Sequence, residues 1–312
     1  MSDRKIAFIF PGQGSQAVAM LSDYGDEAIV KDTFAEASEE LGYDLWKLVS
    51  EGPAEQLNET HRTQPALLTA STALWRLWQE KSEIRASFVA GHSLGEYSAL
   101  VASGALAFKQ AVKLVEQRGE FMQQAVPAGT GKMAAIIGLD DDLIEEACSE
   151  AAAGEVASPV NFNSPGQVVI AGNAAAIERA MQLCKDKGAK RALPLPVSVP
   201  SHCSLMKPAA EALAATLNHV EIQKPAIPLV NNVDVAIVES ADGIKDALIR
   251  QLYCPVRWTE SVQFLSAQGV TDLVECGPGN VLSGLAKRID RGLTAHQLAK
   301  KDSLNQLVEM LS

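Results

Sequence analysis

Residues 88–96 read Phe-Val-Ala-Gly-His-Ser-Leu-Gly-Glu. Residues 88–90 are strand-like, and a helical pattern begins near Glu96, so a G-x-S-x-G sequence lies between a strand and a helix. Its glycines permit a tight turn that a Cβ would obstruct. Such a turn places the Ser93 hydroxyl at a helix N-terminus and can point the Leu94 N–H at a developing oxyanion. The stretch therefore predicts a nucleophilic serine in an α/β fold, with a chance Gly-Ser turn as the alternative.

Short apolar runs alternate with amphipathic stretches along much of the chain. The strand candidates are residues 5–10, 88–92, 227–231 and 272–276, and the helix candidates include 65–78, 97–102, 109–124, 204–217 and 243–252. Strands that are spaced by helices indicate a mostly parallel sheet that is covered on both faces.

The middle of the chain has a different order of elements. It predicts strands at 133–138, 157–162, 167–171 and 192–197 and helices at 140–152 and 174–187. The order βαββαβ is that of a ferredoxin-like unit. We therefore expect a small domain over residues 128–198, inserted into a larger α/β domain formed by residues 1–127 and 199–312.

Composition narrows the class of protein. The chain has 312 residues, of which 47% are hydrophobic and 21% charged, as in an ordinary enzyme. The formal net charge of −11 argues against nucleic acid or an anionic membrane as the main partner. No apolar run approaches the length of about 18 residues that a membrane span needs. The five cysteines form no CxxC pair, and the apolar run before Pro11 is too short for a signal peptide, so we expect a cytoplasmic protein.

A nucleophilic serine needs a nearby base, and the chain has five histidines. His202 is the favoured candidate, because it lies where the chain returns from the small domain and a cleft is expected. His296 is the main alternative, since Ser93, Asp272 and His296 follow the order serine, acid, histidine of the α/β-hydrolases. Asp272 falls at the start of its predicted strand, however, whereas active sites lie at the carboxyl ends.

Arg118 lies on the apolar stripe of its predicted helix, three residues after Val115 and four after Leu114. An arginine that faces inward must find an anion. A structural salt bridge or a side chain that extends to solvent would satisfy this need. The functional alternative is a guanidinium that binds a substrate carboxylate through two parallel hydrogen bonds.

Two glycine-rich stretches resemble nucleotide-binding loops without their context. Residues 10–17 contain G-x-G-x-x-A, but no second strand with an acidic end follows at the required distance. The loop could instead donate the Gln13 N–H to an oxyanion. Residues 129–133 resemble a Walker loop, yet Val126 and Met133 occupy positions that need glycine and a hydroxyl residue. Catalytic metal signatures such as H-E-x-x-H are absent from the sequence.

Several motifs occur together and in a fixed order, spanning nearly the whole chain. They resemble the malonyl-CoA:acyl carrier protein transacylase family of bacterial type II fatty acid synthesis. The stretches that carry the resemblance are residues 10–16, 91–96, 117–119, 161–167, 200–202 and 275–279. One departure is Cys276, a small apolar exchange for the more usual valine.

The resemblance implies an α/β-hydrolase-like large domain and a ferredoxin-like small domain. It also implies residue roles. Ser93 is the nucleophile, His202 its base, and Gln251 supplies the carbonyl oxygen that orients His202. Backbone N–H groups of Gln13 and Leu94 form the oxyanion hole, Arg118 binds the malonyl carboxylate, and Asn163 and Gln167 lie in the cleft wall.

The implied activity is ping-pong transfer of malonyl from malonyl-CoA to the phosphopantetheine thiol of acyl carrier protein, through malonyl-Ser93. The reaction needs no cofactor or metal. There are two alternatives. One is a thioesterase or lipase-like hydrolase that uses the same serine, and the other is a binding module that has lost catalysis. Two basic clusters are candidates for docking an acidic carrier protein: Lys187, Lys190 and Arg191, or Lys287, Arg288 and Arg291.

Overall fold

Two β-sheets organise the computed structural model, which describes residues 4–127, 129–197 and 199–311. The larger sheet has five parallel strands in the order β7-β2-β1-β8-β9, and the smaller has four antiparallel strands in the order β4-β5-β3-β6. The strands are β1 (Lys5–Phe10), β2 (Phe88–Gly91), β3 (Gly131–Ile137), β4 (Ala157–Ser164), β5 (Gln167–Asn173), β6 (Arg191–Pro194), β7 (Leu229–Val230), β8 (Val270–Glu275) and β9 (Thr294–Gln297).

Helices cover both faces of the larger sheet and one face of the smaller. They are α1 (Ala28–Leu41), α2 (Leu45–Glu51), α3 (Ala54–Leu57), α4 (Thr60–Lys81), α5 (Gly95–Ala102), α6 (Phe108–Ala125), α7 (Asp141–Ala152), α8 (Ala174–Asp186), α9 (Lys207–Leu217), α10 (Ala241–Gln251), α11 (Trp258–Ala267), α12 (Val281–Ile289) and α13 (Lys301–Leu311).

The central strand β1 shows why the larger sheet is covered on both sides. Its side chains alternate between the faces. Phe8 and Phe10 pack into a core with α4, α5 and α6, whereas Ala7 and Ile9 pack into a second core with α11 and α12. The Phe8 ring meets the Trp75 ring edge-on at a centroid distance of 4.9 Å. Residues 6–10, which are apolar at every position, therefore form the part of this parallel strand that is buried on both faces.

The smaller sheet has one face covered by helices. Ile136 and Ile170 on that face pack against α7 and α8. The opposite face carries Met133 and Val169 and packs against Cys203, which follows the return to the larger sheet. A cleft thus lies between this second face and the carboxyl end of β2. The edge strand β4 is tied to the larger unit by hydrogen bonds of its backbone to Val256, at 2.8 and 3.0 Å.

The α/β prediction with a mostly parallel sheet is confirmed, and the predicted bounds of β1 match the structure. Other bounds differ: the predicted strand 227–231 contains only Leu229–Val230, and the strand predicted at 192–197 is Arg191–Pro194. The elements α11, α12, α13 and β9 had no counterpart among the predicted elements. Residues 128 and 198, the predicted limits of the small domain, lie outside the described residues.

Gly95 permits a close approach of two backbone segments at the turn that follows β2. A Cβ on Gly95 would lie well inside contact distance of the carbonyl oxygen of Phe10, a backbone atom that cannot move aside. We expect Gly95→Ala to lower the free energy of unfolding by at least about 2 kcal/mol, because the change overpacks a rigid site. The shift would be measured by urea denaturation.

Gly284 provides the matched control. It lies within α12, and nothing lies within 4 Å of the position that its Cβ would take. Gly284→Ala should therefore leave stability unchanged or raise it by up to about 1 kcal/mol, because alanine loses less backbone entropy in a helix. Equal destabilisation by the two substitutions would contradict the close approach at Gly95.

Candidate active site

Ser93 occupies the turn between β2 and α5 in a strained backbone conformation. Its φ angle is +53°, in the left-handed region that non-glycine residues rarely adopt. Asn232, which follows β7, holds this turn from the neighbouring strand end. Its Oδ1 accepts from the Ser93 N–H at 2.7 Å, and its Nδ2 donates to the carbonyl of Gly91 at 2.6 Å. The side chain of Asn232 thus replaces the hydrogen bonds that the sharp turn cannot make with itself.

His202 contacts the Ser93 hydroxyl directly, with 2.7 Å between Oγ and Nε2. On its other side, His202 Nδ1 lies 2.6 Å from the backbone carbonyl of Gln251, at the end of α10. A carbonyl can only accept, so Nδ1 carries the proton and Nε2 keeps a free lone pair. The pair is therefore arranged for His202 Nε2 to accept the proton of Ser93.

Burial keeps the His202 imidazole neutral. Desolvation, with a smaller contribution from the positive charge of Arg118, lowers the pKa of His202 from 6.5 to about 3. The hydrogen bond to Gln251 opposes this shift without cancelling it. A neutral imidazole at physiological pH is the form that can act as a base.

Arg118 reaches the same site from α6, with 1% of the residue exposed. Nη1 donates to Gln64 Oε1 at 2.8 Å, and Nη2 donates to Gln251 Oε1 at 3.0 Å and lies 3.4 Å from Ser93 Oγ. Nε has no hydrogen-bond partner. Among the described residues, no carboxylate lies within 4.0 Å of this guanidinium, so a structural salt bridge does not explain its burial.

Glu96 is the buried carboxylate behind this network, 2% exposed in the first turn of α5. Its Oε2 accepts from the Asn232 N–H at 3.0 Å and from Gln251 Nε2 at 2.8 Å. Burial raises the pKa of Glu96 to about 7, although both hydrogen bonds and Arg118 act in the opposite direction. The network therefore contains one buried cation and one buried carboxyl group, joined through the amide of Gln251.

The cleft above Ser93 is enclosed by both sheets. Gln13 and Leu94 line it beside Ser93, as do Arg118 and His202. The smaller sheet and the chain that follows it contribute a largely apolar wall, formed by Met133, Asn161, Leu195 and Val197. One cavity thus brings together four separate parts of the chain: Gln13, the adjacent pair Ser93 and Leu94, Arg118, and His202. Gln251 lies directly behind this cavity.

The two residues that the resemblance placed in the cleft wall have other contacts. Asn163 Oδ1 lies 2.8 Å from His92 Nε2 and so links β4 to the turn that carries Ser93. Gln167 accepts a hydrogen bond from Arg288 at 2.7 Å. Neither residue is among those that line the cleft, where Asn161 of the same motif is found instead.

The alternative base, His296, lies in a different part of the fold. Its Nε2 is 2.9 Å from Asp272 Oδ1, so the predicted acid and histidine do pair with each other. They pair across β8 and β9, however, and neither lines the cleft that contains Ser93. The Ser93 hydroxyl has His202 as its imidazole partner.

Sequence reasoning missed Asn232 and Gln64 and assigned no role to Glu96. A polar residue beside a predicted strand end was a usable signal for Asn232, because ligand sites lie at such ends. Gln64 is fully buried at the start of the long apolar helix α4, where an amide needs a partner. Nothing local indicates that this partner is Arg118.

The described part of the chain contains neither a candidate metal site nor a candidate membrane span. No group of three or more His, Cys, Asp or Glu side chains there is arranged to hold a metal ion. None of the helices in residues 4–127, 129–197 and 199–311 combines the length and apolar character of a transmembrane span.

The acyl transferase domain family matches residues 7–300 of the chain. The protein is therefore an acyltransferase. Among characterised relatives, the malonyl CoA-acyl carrier protein transacylase of Escherichia coli (strain K12) is 61% identical over 98% of this chain and 99% of its own length. The protein of that name from Bacillus subtilis (strain 168) is 47% identical over 98% of this chain and 97% of its own length.

Solved structures agree with these relatives. The crystal structure of an acyl carrier protein S-malonyltransferase from Vibrio cholerae is 64% identical, with a TM-score of 0.95 over 97% of this chain and 99% of that one. A malonyl-transacylase in complex with its type II PKS acyl-carrier protein is 59% identical, with a TM-score of 0.97 over 98% and 99%. The resemblance found in the sequence is confirmed, and the chain belongs to the malonyl-CoA:acyl carrier protein transacylase family.

Replacement of Asn232 should weaken both the fold and the reactivity of Ser93. Asn232→Ala leaves the Ser93 N–H and the Gly91 carbonyl without their partner, which costs about 1–3 kcal/mol for each buried group. Reaction of Ser93 with a fluorophosphonate, measured on folded protein, should slow at least tenfold, roughly as expected when a nucleophile is misplaced.

Asn231→Ala is the matched control for this test. Asn231 is equally buried, but its side chain hydrogen-bonds with Asp234 and not with the turn that contains Ser93. The control should lose stability without slowing the labelling of folded protein. Equal labelling rates for the two variants would show that Asn232 does not hold Ser93 in place.

Proposed function

We propose that this protein transfers the malonyl group of malonyl-CoA to the phosphopantetheine thiol of an acyl carrier protein. The relatives' names give malonyl CoA and acyl carrier protein as the two substrates of those proteins. One observation carries the proposal. Ser93 Oγ lies 2.7 Å from His202 Nε2 and 3.4 Å from Arg118 Nη2, so a nucleophile, a base and a buried cation converge on one point. No carboxylate among the described residues lies within 4.0 Å of this cation, and the malonyl group would bring one.

In the first half-reaction, Ser93 Oγ attacks the thioester carbon while His202 Nε2 takes its proton. The tetrahedral oxyanion would accept hydrogen bonds from the N–H groups of Gln13 and Leu94, which line the cleft beside Ser93. Collapse of the intermediate breaks the carbon–sulfur bond, and the proton held by His202 goes to the departing CoA sulfur. Malonyl-Ser93 remains.

In the second half-reaction, the thiol of the carrier protein occupies the place that CoA has left. His202 accepts the thiol proton, the sulfur attacks the malonyl ester, and Ser93 Oγ leaves with the proton from His202. A neutral carbonyl, Gln251 O, orients the imidazole throughout. It stabilises an imidazolium less than a carboxylate would, and we infer that this suffices because a thioester is already activated.

Arg118 would bind the malonyl carboxylate and so distinguish malonyl from acetyl. Burial lowers the pKa of Arg118, which expresses the cost of holding its charge away from water. A carboxylate that accepts from the guanidinium offsets this cost, whereas an acetyl group leaves it uncompensated. The unpartnered Nε is one donor that the substrate could use.

The carrier protein is the proposed macromolecular partner, and the two basic clusters of the sequence differ in their availability. Lys187 lies 3.2 Å from Glu146, within an ion pair. Lys287, Arg288 and Arg291 are exposed, and no carboxylate among the described residues lies within 4.0 Å of them. Arg288 has a neutral partner, Gln167. We therefore favour the cluster at the end of α12 as the docking surface for an acidic carrier.

We also propose that the chain forms two domains. We assign residues 1–127 and 199–312 to an α/β-hydrolase-like domain and residues 128–198 to a ferredoxin-like domain. The order βαββαβ and the antiparallel strand order β4-β5-β3-β6 support the second assignment. We also propose a cytoplasmic location, which suits the five unpaired cysteines, and a reaction without a cofactor, since side chains and backbone groups of the protein supply each proposed step.

Brief exposure to malonyl-CoA, followed by mass spectrometry of the intact protein and peptide mapping, tests the covalent step. We expect one malonyl group on Ser93, none on Ser93→Ala, and acylation slowed by about 10²–10⁴-fold in His202→Ala because the base is lost. Added phosphopantetheinylated carrier protein should then remove the label as malonyl-carrier. A label that persists in Ser93→Ala would falsify the mechanism, and release of free malonate as fast as CoA would identify a hydrolase instead.

Arg118→Ala tests the selectivity. We expect kcat/KM for malonyl-CoA to fall by at least about tenfold, with acetyl transfer rising relative to malonyl transfer, because the charge-assisted pair is lost. Arg76→Ala is the matched control, since Arg76 pairs with Glu36 at the surface of α4 and has no described contact with the cleft. Unchanged selectivity in Arg118→Ala would refute the assigned role.

A further inference from the structure

Glu96 is a buried carboxyl group for which the proposed reaction has no use. Its two described hydrogen bonds both end on Oε2, from the Asn232 N–H and from Gln251 Nε2. A carboxyl group so far from water is costly to maintain. Glu96 is connected to the site through Asn232 and Gln251, so any contribution that it makes acts through these two residues.

The amide of Gln251 has one satisfactory orientation, and Glu96 helps to define it. Nε2 donates to Glu96 Oε2 at 2.8 Å and to the backbone carbonyl of Ser93 at 3.0 Å. Both partners accept there, so the NH₂ end must face them. The oxygen end then faces Arg118 Nη2 at 3.0 Å. A flipped amide would set its donors against the guanidinium and leave Glu96 Oε2 without this partner.

Arg118 depends on that orientation because the acceptors around it are neutral. Gln64 Oε1 holds Nη1 and Gln251 Oε1 holds Nη2, and the described residues place no carboxylate in an ion pair with it. A carboxylate bound directly to the guanidinium would occupy the N–H groups that an incoming substrate carboxylate needs. The amide of Gln251 instead offers Nη2 a neutral acceptor and places the carboxyl group one residue further away, and Nε keeps its N–H without a hydrogen-bond partner.

We propose that Glu96 is a positioning residue for Arg118: by fixing the direction of the Gln251 amide, it holds the guanidinium in the pose that receives the substrate carboxylate. This inference rests on the proposed function, because the pose has a purpose only if the acyl group carries a carboxylate. Glu96 would thus be a determinant of substrate choice that contacts neither the substrate nor Ser93 Oγ.

According to this proposal, the orientation of the Gln251 amide depends on the position of the acceptor oxygen at residue 96 and not on the negative charge of that side chain. Glu96→Gln keeps a side chain of equal length whose carbonyl oxygen can accept from both Gln251 and Asn232. Glu96→Asp keeps the carboxyl group but withdraws it by one methylene from Gln251 Nε2. The two substitutions therefore separate position from charge, and both retain a hydrogen-bonding side chain.

The experiment first tests by mass spectrometry whether the wild type forms malonyl-Ser93. It then measures kcat and KM for transfer of malonyl and of acetyl from CoA to the carrier protein, in the wild type and in both variants. We expect Glu96→Gln to keep the malonyl/acetyl ratio of kcat/KM within about threefold of the wild type. Glu96→Asp should lower the ratio by at least about tenfold, mainly through a higher KM for malonyl-CoA, with acetyl kinetics nearly unchanged. If Glu96→Asp does not fold, Glu96→Ala is measured in its place with the same expectation.

Glu275→Asp serves as the matched control. Glu275 is fully buried and accepts from the N–H groups of Leu282 and Ser283 at the start of α12, without a described contact to Arg118 or Gln251. This variant should lose stability, as a shortened buried carboxylate must, and keep the malonyl/acetyl ratio. The control separates a general effect on folding from an effect on substrate choice.

Each result bears on one proposal. Equal ratios in Glu96→Gln and Glu96→Asp, or a larger loss in Glu96→Gln, would overturn the role of Glu96 and leave the transfer reaction standing, provided that the wild type forms malonyl-Ser93. A wild type that forms no malonyl-Ser93 would overturn the proposed function itself. The wild-type measurement is therefore read first.

Discussion

The left-handed backbone of Ser93 is the constraint on which the site depends. A residue at φ +53° persists only when its surroundings hold it there, and here Asn232 does so with one hydrogen bond on each side of the turn. The close packing of Gly95 against β1 completes the restraint. The strained turn aims the hydroxyl at His202, whose own φ of +65° is also left-handed. Two strained residues from separate parts of the chain thus face each other across 2.7 Å.

The charged groups of the buried network do not contact one another directly. The network holds a guanidinium, a neutral imidazole and a carboxyl group, and amide side chains separate them. Gln251 contributes twice: its backbone carbonyl orients His202, and its side chain joins Glu96 to Arg118. One residue at the end of α10 therefore connects His202, the proposed base, to Arg118, the proposed ligand of the substrate carboxylate. The described residues offer the cation only neutral partners, and burial keeps the imidazole uncharged against the smaller opposing effect of its hydrogen bond to Gln251.

Local sequence patterns predicted much of the fold and part of the site. The run that became β1 is apolar at nearly every position and ends at Pro11, and its bounds were predicted correctly. Ser93 followed from its motif and Arg118 from its place on an apolar stripe. The edge strand β9 was missed because Thr294–Gln297 is short and polar, and only its pairing with β8 makes it a strand. Asn232 was missed for a similar reason, since its partner Ser93 lies 139 residues away.

The largely apolar wall of the cleft has a consequence for the lifetime of the proposed ester on Ser93. Met133, Leu195 and Val197 offer no side-chain hydrogen bonds to water, so along this part of the wall, where Asn161 is the polar exception, a solvent molecule would be poorly held and poorly aimed at the acyl carbon. A tethered thiol, in contrast, arrives on a long flexible arm and does not depend on such anchoring. A cleft wall that holds water poorly therefore favours transfer of the acyl group to the thiol over its hydrolysis to the free acid.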